Sequence, residues 1–136
     1  MENFLAKKYK LVSSENFDEF MKAVGVGLVT RKIGNSLSPV IELSMNGDDC
    51  YVLSSTSTFK NVVTKFKPGI EIDDETPDGR KVKSFFCVDG NVVTEKQIDA
   101  AGKVTTIERT WTEDEVKMIL KVDGVTCTRI YKALSA

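Results

Sequence analysis

The spacing of hydrophobic residues changes once along the chain, near Pro39. Before that point, hydrophobic residues occur at positions i, i+3, i+4 and i+7, namely Phe17, Phe20, Met21 and Val24. This spacing places them on one face of a short helix. After Pro39, hydrophobic and polar residues alternate, which is the period of a strand with one buried face. The pattern therefore predicts a short helical segment followed by a long β region.

Capping residues indicate the bounds of two helices. Asn16 is the expected N-cap of the first helix, with Glu19 three residues later as in a capping box, and Gly25 ends it. A second helix is predicted from about Gly27 to Ile33, and Gly34-Asn35 should terminate it. Together they form a helix-turn-helix over about residues 16 to 34.

Paired turn residues divide the β region. They are Asn46-Gly47, Pro68-Gly69, Asp78-Gly79, Asp89-Gly90, Ala101-Gly102 and Asp123-Gly124. With two further polar breaks they delimit about nine strands, and residues 7 to 13 add one before the helices. Loops this short join antiparallel neighbours, so we expect an all-β fold, a ten-stranded antiparallel up-and-down β-barrel capped by the helix-turn-helix. Ten strands enclose a cavity rather than a filled core.

Composition limits the classes of function. The 136 residues are 41% hydrophobic and 29% charged, which is typical of one globular domain, here residues 1 to 136. The net charge of −1 disfavours a nucleic-acid partner, and the absence of histidine removes the usual metal ligand and general base. No apolar run has the length of a signal peptide or a membrane span. Cys50, Cys87 and Cys127 lack a paired spacing, which is typical of reduced thiols in the cytosol.

The last three predicted strands carry two arginines on the face that should line the interior. Alternate residues separate a mostly apolar face from a polar one, and Arg109 and Arg129 lie on the apolar faces. A two-residue turn at Asp123-Gly124 pairs Met118 with Arg129. A four-residue turn before it pairs Arg109 with Met118, so the arginines flank this methionine with Cα atoms about 10 Å apart. Tyr131 follows Arg129 on the same face.

These inward cations need a negatively charged partner. No inward position on the three strands holds a carboxylate, and an unpaired cation in an apolar interior is costly. A ligand carboxylate, bound by planar arginine donors with help from Tyr131, supplies the missing charge. The alternative is internal: water, backbone carbonyls or a glutamate from a strand whose orientation is misassigned satisfies the guanidinium groups.

Several motifs resemble landmarks of a known family. They are Lys7-x-Tyr9-x-Leu11, Asn16-Phe17-Asp18-x-Phe20-Met21 with Val24, Gly25-Val26-Gly27 with Thr30-Arg31-Lys32, Ser57-Thr58-Phe59-Lys60-Asn61, Asp78-Gly79-Arg80-Lys81-Val82-Lys83-Ser84 and Thr128-Arg129-x-Tyr131. On these motifs, which span essentially the whole chain, the sequence resembles the intracellular lipid-binding proteins of the calycin superfamily, and within them the fatty acid-binding proteins of the heart, adipocyte and muscle type. Lys7 and Tyr9 stand where many members carry Gly and Trp, so first-strand packing against the barrel floor can differ.

The resemblance implies a carrier that binds a long-chain fatty acid inside the barrel and transports it within the cell. It assigns the ligand carboxylate to Arg109, Arg129 and Tyr131, in agreement with the register argument. It also implies a cavity with a portal, lined by Phe17, Met21, Pro39, Phe59, Asp78 and Arg80. The inward face of the late strands adds Met118 and Leu120 to the expected lining. No catalytic residue, metal or cofactor is expected, and the bound ligand is the fatty acid itself.

The remaining expectations concern partners and location. Lys22, Arg31 and Lys32 form a basic group on the predicted lid, which is either a solvated helix surface or a site of transient contact with an anionic membrane. We expect a monomer, without nucleic acid, in the cytoplasm and, by resemblance, also in the nucleus. Three alternatives stay open: a carrier of retinoic acid or another hydrophobic carboxylic acid, an enzyme that acts on a lipid, and an adaptor with a filled interior.

Overall fold

Ten strands and two short α-helices make up the protein in a computed structural model that describes residues 2–47 and 49–134. A 3₁₀ turn (Glu2–Phe4) precedes β1 (Lys8–Glu15), and α1 (Phe17–Ala23) and α2 (Leu28–Ser36) follow that strand. The other strands are β2 (Val40–Met45), β3 (Tyr51–Thr56), β4 (Asn61–Phe66), β5 (Ile72–Glu75), β6 (Lys81–Asp89), β7 (Val92–Asp99), β8 (Val104–Trp111), β9 (Glu115–Val122) and β10 (Val125–Ala133).

The strands form one antiparallel sheet in the order β4-β3-β2-β1-β10-β9-β8-β7-β6-β5. Strand β1 pairs with both β2 and β10 and so joins the early and late strands into one continuous sheet, which curls into a nearly closed barrel. In the described part of the chain, β4 and β5 are the two edges and no ladder joins them. Phe66 at the end of β4 stacks on Phe86 of β6 with ring centroids 4.0 Å apart. The prediction of an all-β, ten-stranded barrel capped by a helix-turn-helix is confirmed.

The predicted register of the last three strands is also confirmed. Arg129 pairs with Met118 across β10 and β9, and Met118 pairs with Arg109 across β9 and β8. The turn at Asp123-Gly124 explains this alignment, since both residues adopt positive φ (47° and 78°), as a type I′ hairpin turn requires. This hairpin sets Arg129 opposite Met118, and the turn between β8 and β9 sets Arg109 opposite the same residue, so both arginines lie on the inner face of the sheet.

The lid differs in detail from the prediction. Asn16 precedes α1, but its Nδ2 donates to the Thr126 carbonyl at 3.2 Å and its side chain makes no cap bond. Asn16 therefore occupies the predicted N-cap position, but the predicted capping box with Glu19 is wrong: Asn16 has a left-handed φ of 64° and its amide is bonded to β10. Helix α2 also continues through Gly34 rather than ending there. Gly34 allows the two helices to approach closely, since a Cβ at this position would lie 2.9 Å from Met21 Sδ.

Large buried side chains close the end of the barrel where β1 begins. Trp111 and Tyr9 are fully buried there, and Tyr9 Oη donates to the Thr112 carbonyl at 2.9 Å. Lys7 Nζ donates to the Glu113 carbonyl at 2.6 Å. Both side chains tie the start of the chain to the turn between β8 and β9. This packing closes one end of the interior and leaves the open space beneath the helices.

Candidate functional site

A cavity of about 240 Å³ lies between the two helices and the inner face of the sheet. Its wall is mainly apolar, with residues from both helices and from strands on opposite sides of the barrel. All eleven site residues predicted from the sequence line it: Phe17, Met21, Pro39, Phe59, Asp78, Arg80, Arg109, Met118, Leu120, Arg129 and Tyr131. The fold thus brings residues from distant parts of the chain to one cavity, and their roles toward a ligand stay predictions.

Arg129 is a buried cation without a protein partner in the described part of the chain. Its side chain is 4% exposed, and its Cζ lies 3.7 Å from the centre of the Phe17 ring. Within residues 2–47 and 49–134 its guanidinium makes no ion pair and no hydrogen bond. Tyr131, two residues along β10, is also buried, and its hydroxyl has no partner in those ranges. Both side chains offer unused donors to the cavity.

Arg109, by contrast, is paired inside the protein. Its Nη1 donates to Glu95 Oε1 at 2.8 Å, and Gln97 Nε2 donates to the other carboxylate oxygen at 2.7 Å. All three side chains are buried. The expectation that Arg109 lacks a counter-ion is therefore wrong, because the carboxylate comes from β7, the strand next to the three that were compared. The internal alternative holds for Arg109, whereas for Arg129 the described residues supply neither a carboxylate nor a backbone carbonyl.

Sequence reasoning missed Glu95 although a signal was present. Strand β7 is polar on both faces, so alternation alone did not show which face is inside. The turn at Ala101-Gly102 carries that information, because the register across it pairs Glu95 with Ile107. Directly opposed residues share a face of the sheet, and Ile107 lies two residues from Arg109 on β8, on the same inner face.

A second carboxylate, Asp74 of β5, belongs to the same polar wall. It is half-buried and lines the cavity, and its Oδ2 accepts a hydrogen bond from Ser84 Oγ at 3.4 Å. Burial is the main cause that raises the pKa of Asp74, and the negative charge of Glu95 raises it further. Hydrogen bonds from the Glu75 backbone N–H and from Ser84 oppose this rise without cancelling it.

The predicted portal lies where the turn after β3 meets the turn after β5. Phe59 in the first turn lines the cavity and is 55% exposed. In the second turn, Arg80 Nε donates to Asp78 Oδ2 at 2.7 Å. Lys60 Nζ reaches the Pro77 carbonyl at 3.5 Å and connects the two turns. In the described residues, this part of the wall is held by side-chain contacts, and no backbone ladder joins the edge strands β4 and β5.

The basic group predicted on the lid is not uniform. Arg31 is bound to the protein, since its Nε donates to Asp18 at 3.2 Å and its Nη1 to the Val26 carbonyl at 2.7 Å. Lys22 and Lys32 are exposed, so these two remain available to an external surface. Contact with a membrane stays a prediction.

An outer depression of about 420 Å³ lies between α1, the end of α2 and β1. Phe17 and Arg129 line both this depression and the inner cavity, so their stacked side chains form the partition between the two spaces. Asp18 and Glu19 line the outer side. The sequence analysis did not predict this space, which depends on how the helices sit against β1.

Other chemistry is limited in the described part of the chain. There, no three His, Cys, Asp or Glu side chains are arranged to hold a metal ion. None of the helices found within residues 2–47 and 49–134 has the length and hydropathy to cross a bilayer. Cys127 is a free thiol on the buried side of β10, and burial raises its pKa to about 11. Its thiolate is therefore scarce at neutral pH.

Comparison with known proteins identifies the class of this barrel. The profile of the lipocalin and cytosolic fatty-acid binding protein family matches residues 6–133. The chain therefore belongs to this family, and the resemblance that the sequence motifs indicated is confirmed. Proteins of this family bind and transport fatty acids.

Three relatives show how close the similarity is. The chain is 54% identical to a solved fatty acid-binding protein from the brain of Drosophila melanogaster, with a TM-score of 0.89 over 96% of this chain and 99% of the other. It is 40% identical to the Schistosoma mansoni fatty acid-binding protein solved with arachidonic acid, with a TM-score of 0.93 over 99% and 98% of the two chains. Sodium/calcium exchanger regulatory protein 1 of Doryteuthis pealeii is 44% identical over 128 residues, which cover 94% of this chain and 95% of that protein.

Proposed function

We propose that this protein binds a long-chain fatty acid in the cavity and carries it through the cell, with the ligand carboxylate at Arg129 and Tyr131, beside Arg109. The observation that carries the proposal is the buried guanidinium of Arg129, which has no protein counter-ion in the described residues and faces an apolar cavity. A bound carboxylate satisfies that cation and leaves the hydrocarbon tail against apolar side chains. The arachidonic acid complex of the Schistosoma relative supports this choice of ligand.

The tail supplies most of the affinity and the head supplies the selectivity. Each buried methylene contributes about 0.8 kcal/mol, so ten methylenes contribute about 8 kcal/mol before the losses of association are subtracted. A charge-assisted hydrogen bond contributes about 1.5 to 3 kcal/mol. An alcohol of the same chain length keeps the first contribution but leaves Arg129 unpaired. The cavity should therefore prefer acids to alcohols.

Ligand access is proposed at the portal beneath α2. The apolar side chains of Leu28 and Val29 on α2 and of Phe59 in the turn after β3 are exposed. Opening here breaks the contact of Lys60 with Pro77 but no backbone ladder of the barrel. The proposed carrier makes and breaks no covalent bond during this cycle.

The proposal extends to the oligomeric state, the location and the membrane contact of the protein. We propose that the chain is one lipid-binding unit that works as a monomer in the cytoplasm and the nucleus, without a nucleic-acid partner. Lys22 and Lys32, exposed on the lid, would each add about 1 kcal/mol of attraction to an anionic membrane surface. Transfer of ligand to or from membranes would then occur at the lid end of the barrel.

Titration of the delipidated protein with matched ligands tests this function. We expect oleate to bind at least tenfold more tightly than oleyl alcohol by isothermal titration calorimetry, because only the acid pairs with Arg129. Native mass spectrometry of protein purified from cells should show bound fatty acid. Equal affinity for oleate and the alcohol contradicts the carboxylate site. Displacement of oleate by a lower concentration of retinoic acid would favour the alternative, a carrier of retinoic acid or another hydrophobic acid.

A further inference from the structure

The ion pair of Glu95 and Arg109 lies beside the site where we place the acidic head of the ligand. We propose that Glu95 is a specificity-determining residue: it occupies Arg109 as a ligand carboxylate otherwise would, and so confines the acidic head of the ligand to Arg129 and Tyr131. This inference rests on the proposed function and assigns unequal parts to the two arginines.

The carboxylate of Glu95 binds Arg109 in the way that the carboxylate of a ligand would. Glu95 is 3% exposed and Arg109 is 8% exposed, and the Nη1–Oε1 distance is 2.8 Å. The second oxygen of Glu95 accepts the hydrogen bond from Gln97, so both oxygens of this carboxylate are engaged. The Nε of Arg109 is enclosed and has no hydrogen-bond partner in the described residues. An enclosed Nε is not accessible to a ligand unless the side chain moves.

The strand order separates this pair from the unpaired cation. Glu95 lies on β7 and Arg129 on β10, three strand positions apart, which corresponds to about 14 Å between backbones. Glu95 therefore compensates Arg109, one strand away, and leaves Arg129 uncompensated. Asp74, a second carboxylate that lines the cavity, lies on β5, which is further from β10 along the sheet than the strand of Glu95.

A ligand carboxylate at Arg109 would have to displace Glu95 or share the guanidinium with it. Displacement leaves Glu95 as an unpaired charge in a buried site, and sharing brings two anions together on one cation. Both are unfavourable. At Arg129 the ligand meets neither penalty, and it relieves a cation that already has no partner. Glu95 thus lowers the affinity of the cavity for acids while it sets where their heads bind.

Removal of the Glu95 charge tests the inference. In Glu95→Gln, Arg109 loses its counter-ion and becomes a second free cation, so we expect oleate to bind three- to tenfold more tightly while oleyl alcohol is unchanged. The control is Glu108→Gln, on the adjacent strand β8, where the side chain is exposed. This control should leave the ratio of oleate to oleyl alcohol affinity at the wild-type value.

A neutral double variant gives a second, independent readout. Arg109→Gln alone leaves Glu95 as an unpaired anion and should weaken oleate binding, whereas Glu95→Gln with Arg109→Gln removes both charges. If the pair is neutral toward the ligand, the double variant binds oleate within threefold of wild type. This variant also keeps the test valid if either single substitution prevents folding, which a thermal melt without ligand would show.

The outcomes separate this inference from the function on which it rests. No rise in the oleate to alcohol ratio for Glu95→Gln, or a double variant as weak as Arg109→Gln, overturns the role of Glu95 while oleate binding by wild type still supports the carrier. Failure of the wild-type protein to bind oleate overturns both. A rise in the ratio together with a double variant near wild type supports the assignment.

Discussion

Arg129→Gln is the substitution with the sharpest expected effect on ligand binding. In wild type, the guanidinium is 4% exposed, stacks on Phe17 and lacks a protein counter-ion in the described residues. Loss of one charge-assisted hydrogen bond to the ligand removes about 1.5 to 3 kcal/mol. At about 1.4 kcal/mol per tenfold change in affinity, oleate binding should weaken by about ten- to 150-fold.

The same substitution should change the stability of the ligand-free protein little. The stacking of Arg129 on Phe17 is worth about 2 kcal/mol when desolvated, and its loss destabilises the fold. Removal of a buried cation without a counter-ion acts in the opposite direction. We therefore expect the ligand-free melting temperature to stay near the wild-type value, whereas the rise in melting temperature with oleate should shrink, because that rise follows the affinity.

Calorimetry with oleate and oleyl alcohol measures both parts of this prediction. The alcohol should bind Arg129→Gln within twofold of wild type, since its head never pairs with the guanidinium. Lys117→Gln, an exposed position on β9, is the matched control for loss of a positive charge. An oleate affinity within threefold of wild type would falsify the reasoning, and so would an equal loss for the acid and the alcohol.

Two other predictions follow from the pKa shifts. Cys127 should resist thiol labelling in the folded protein at pH 8, because burial raises its pKa to about 11, whereas the exposed Cys87 should react; mass spectrometry of labelled peptides checks this, and equal rates would contradict it. Asp74 binds its proton more tightly in the folded state than in the unfolded state, so its ionisation lowers stability as pH rises above the ordinary carboxyl pKa. Asp74→Asn should therefore raise the melting temperature more at pH 7 than at pH 4, and a gain of equal size at both pH values would refute this.

The strand framework was predictable because its information is local. Turn pairs such as Asp123-Gly124 restrict the backbone to a few hairpin geometries, and a hairpin determines which residues face each other. The alignment of Arg109, Met118 and Arg129 follows from two such turns and matches the structure. The family motifs indicate the same fold by resemblance, and the family match confirms that resemblance.

The lid was less predictable because its residues serve tertiary contacts. Asn16 has the side chain of an N-cap, yet it bonds to the Thr126 carbonyl of β10 instead. Gly34 has the conformational freedom of a helix terminator, yet it lies inside α2 where Met21 needs the space. In both cases a distant partner competes with the local preference for the same side chain or the same volume.

The same distinction between local sequence information and tertiary contacts applies to the candidate site. Hairpin turns and alternation, both written in the chain, determined that Arg109, Arg129 and Tyr131 face inward. The pairing of Glu95 with Arg109 also lay within reach of hairpin register, since the two residues are diagonal neighbours on β7 and β8. Only the tertiary structure decided that Phe17 from the lid covers Arg129. Register is set by short turns between neighbouring strands, whereas the cover over Arg129 depends on where a helix remote in sequence packs on β10, and that contact exists only after the lid has docked on the barrel.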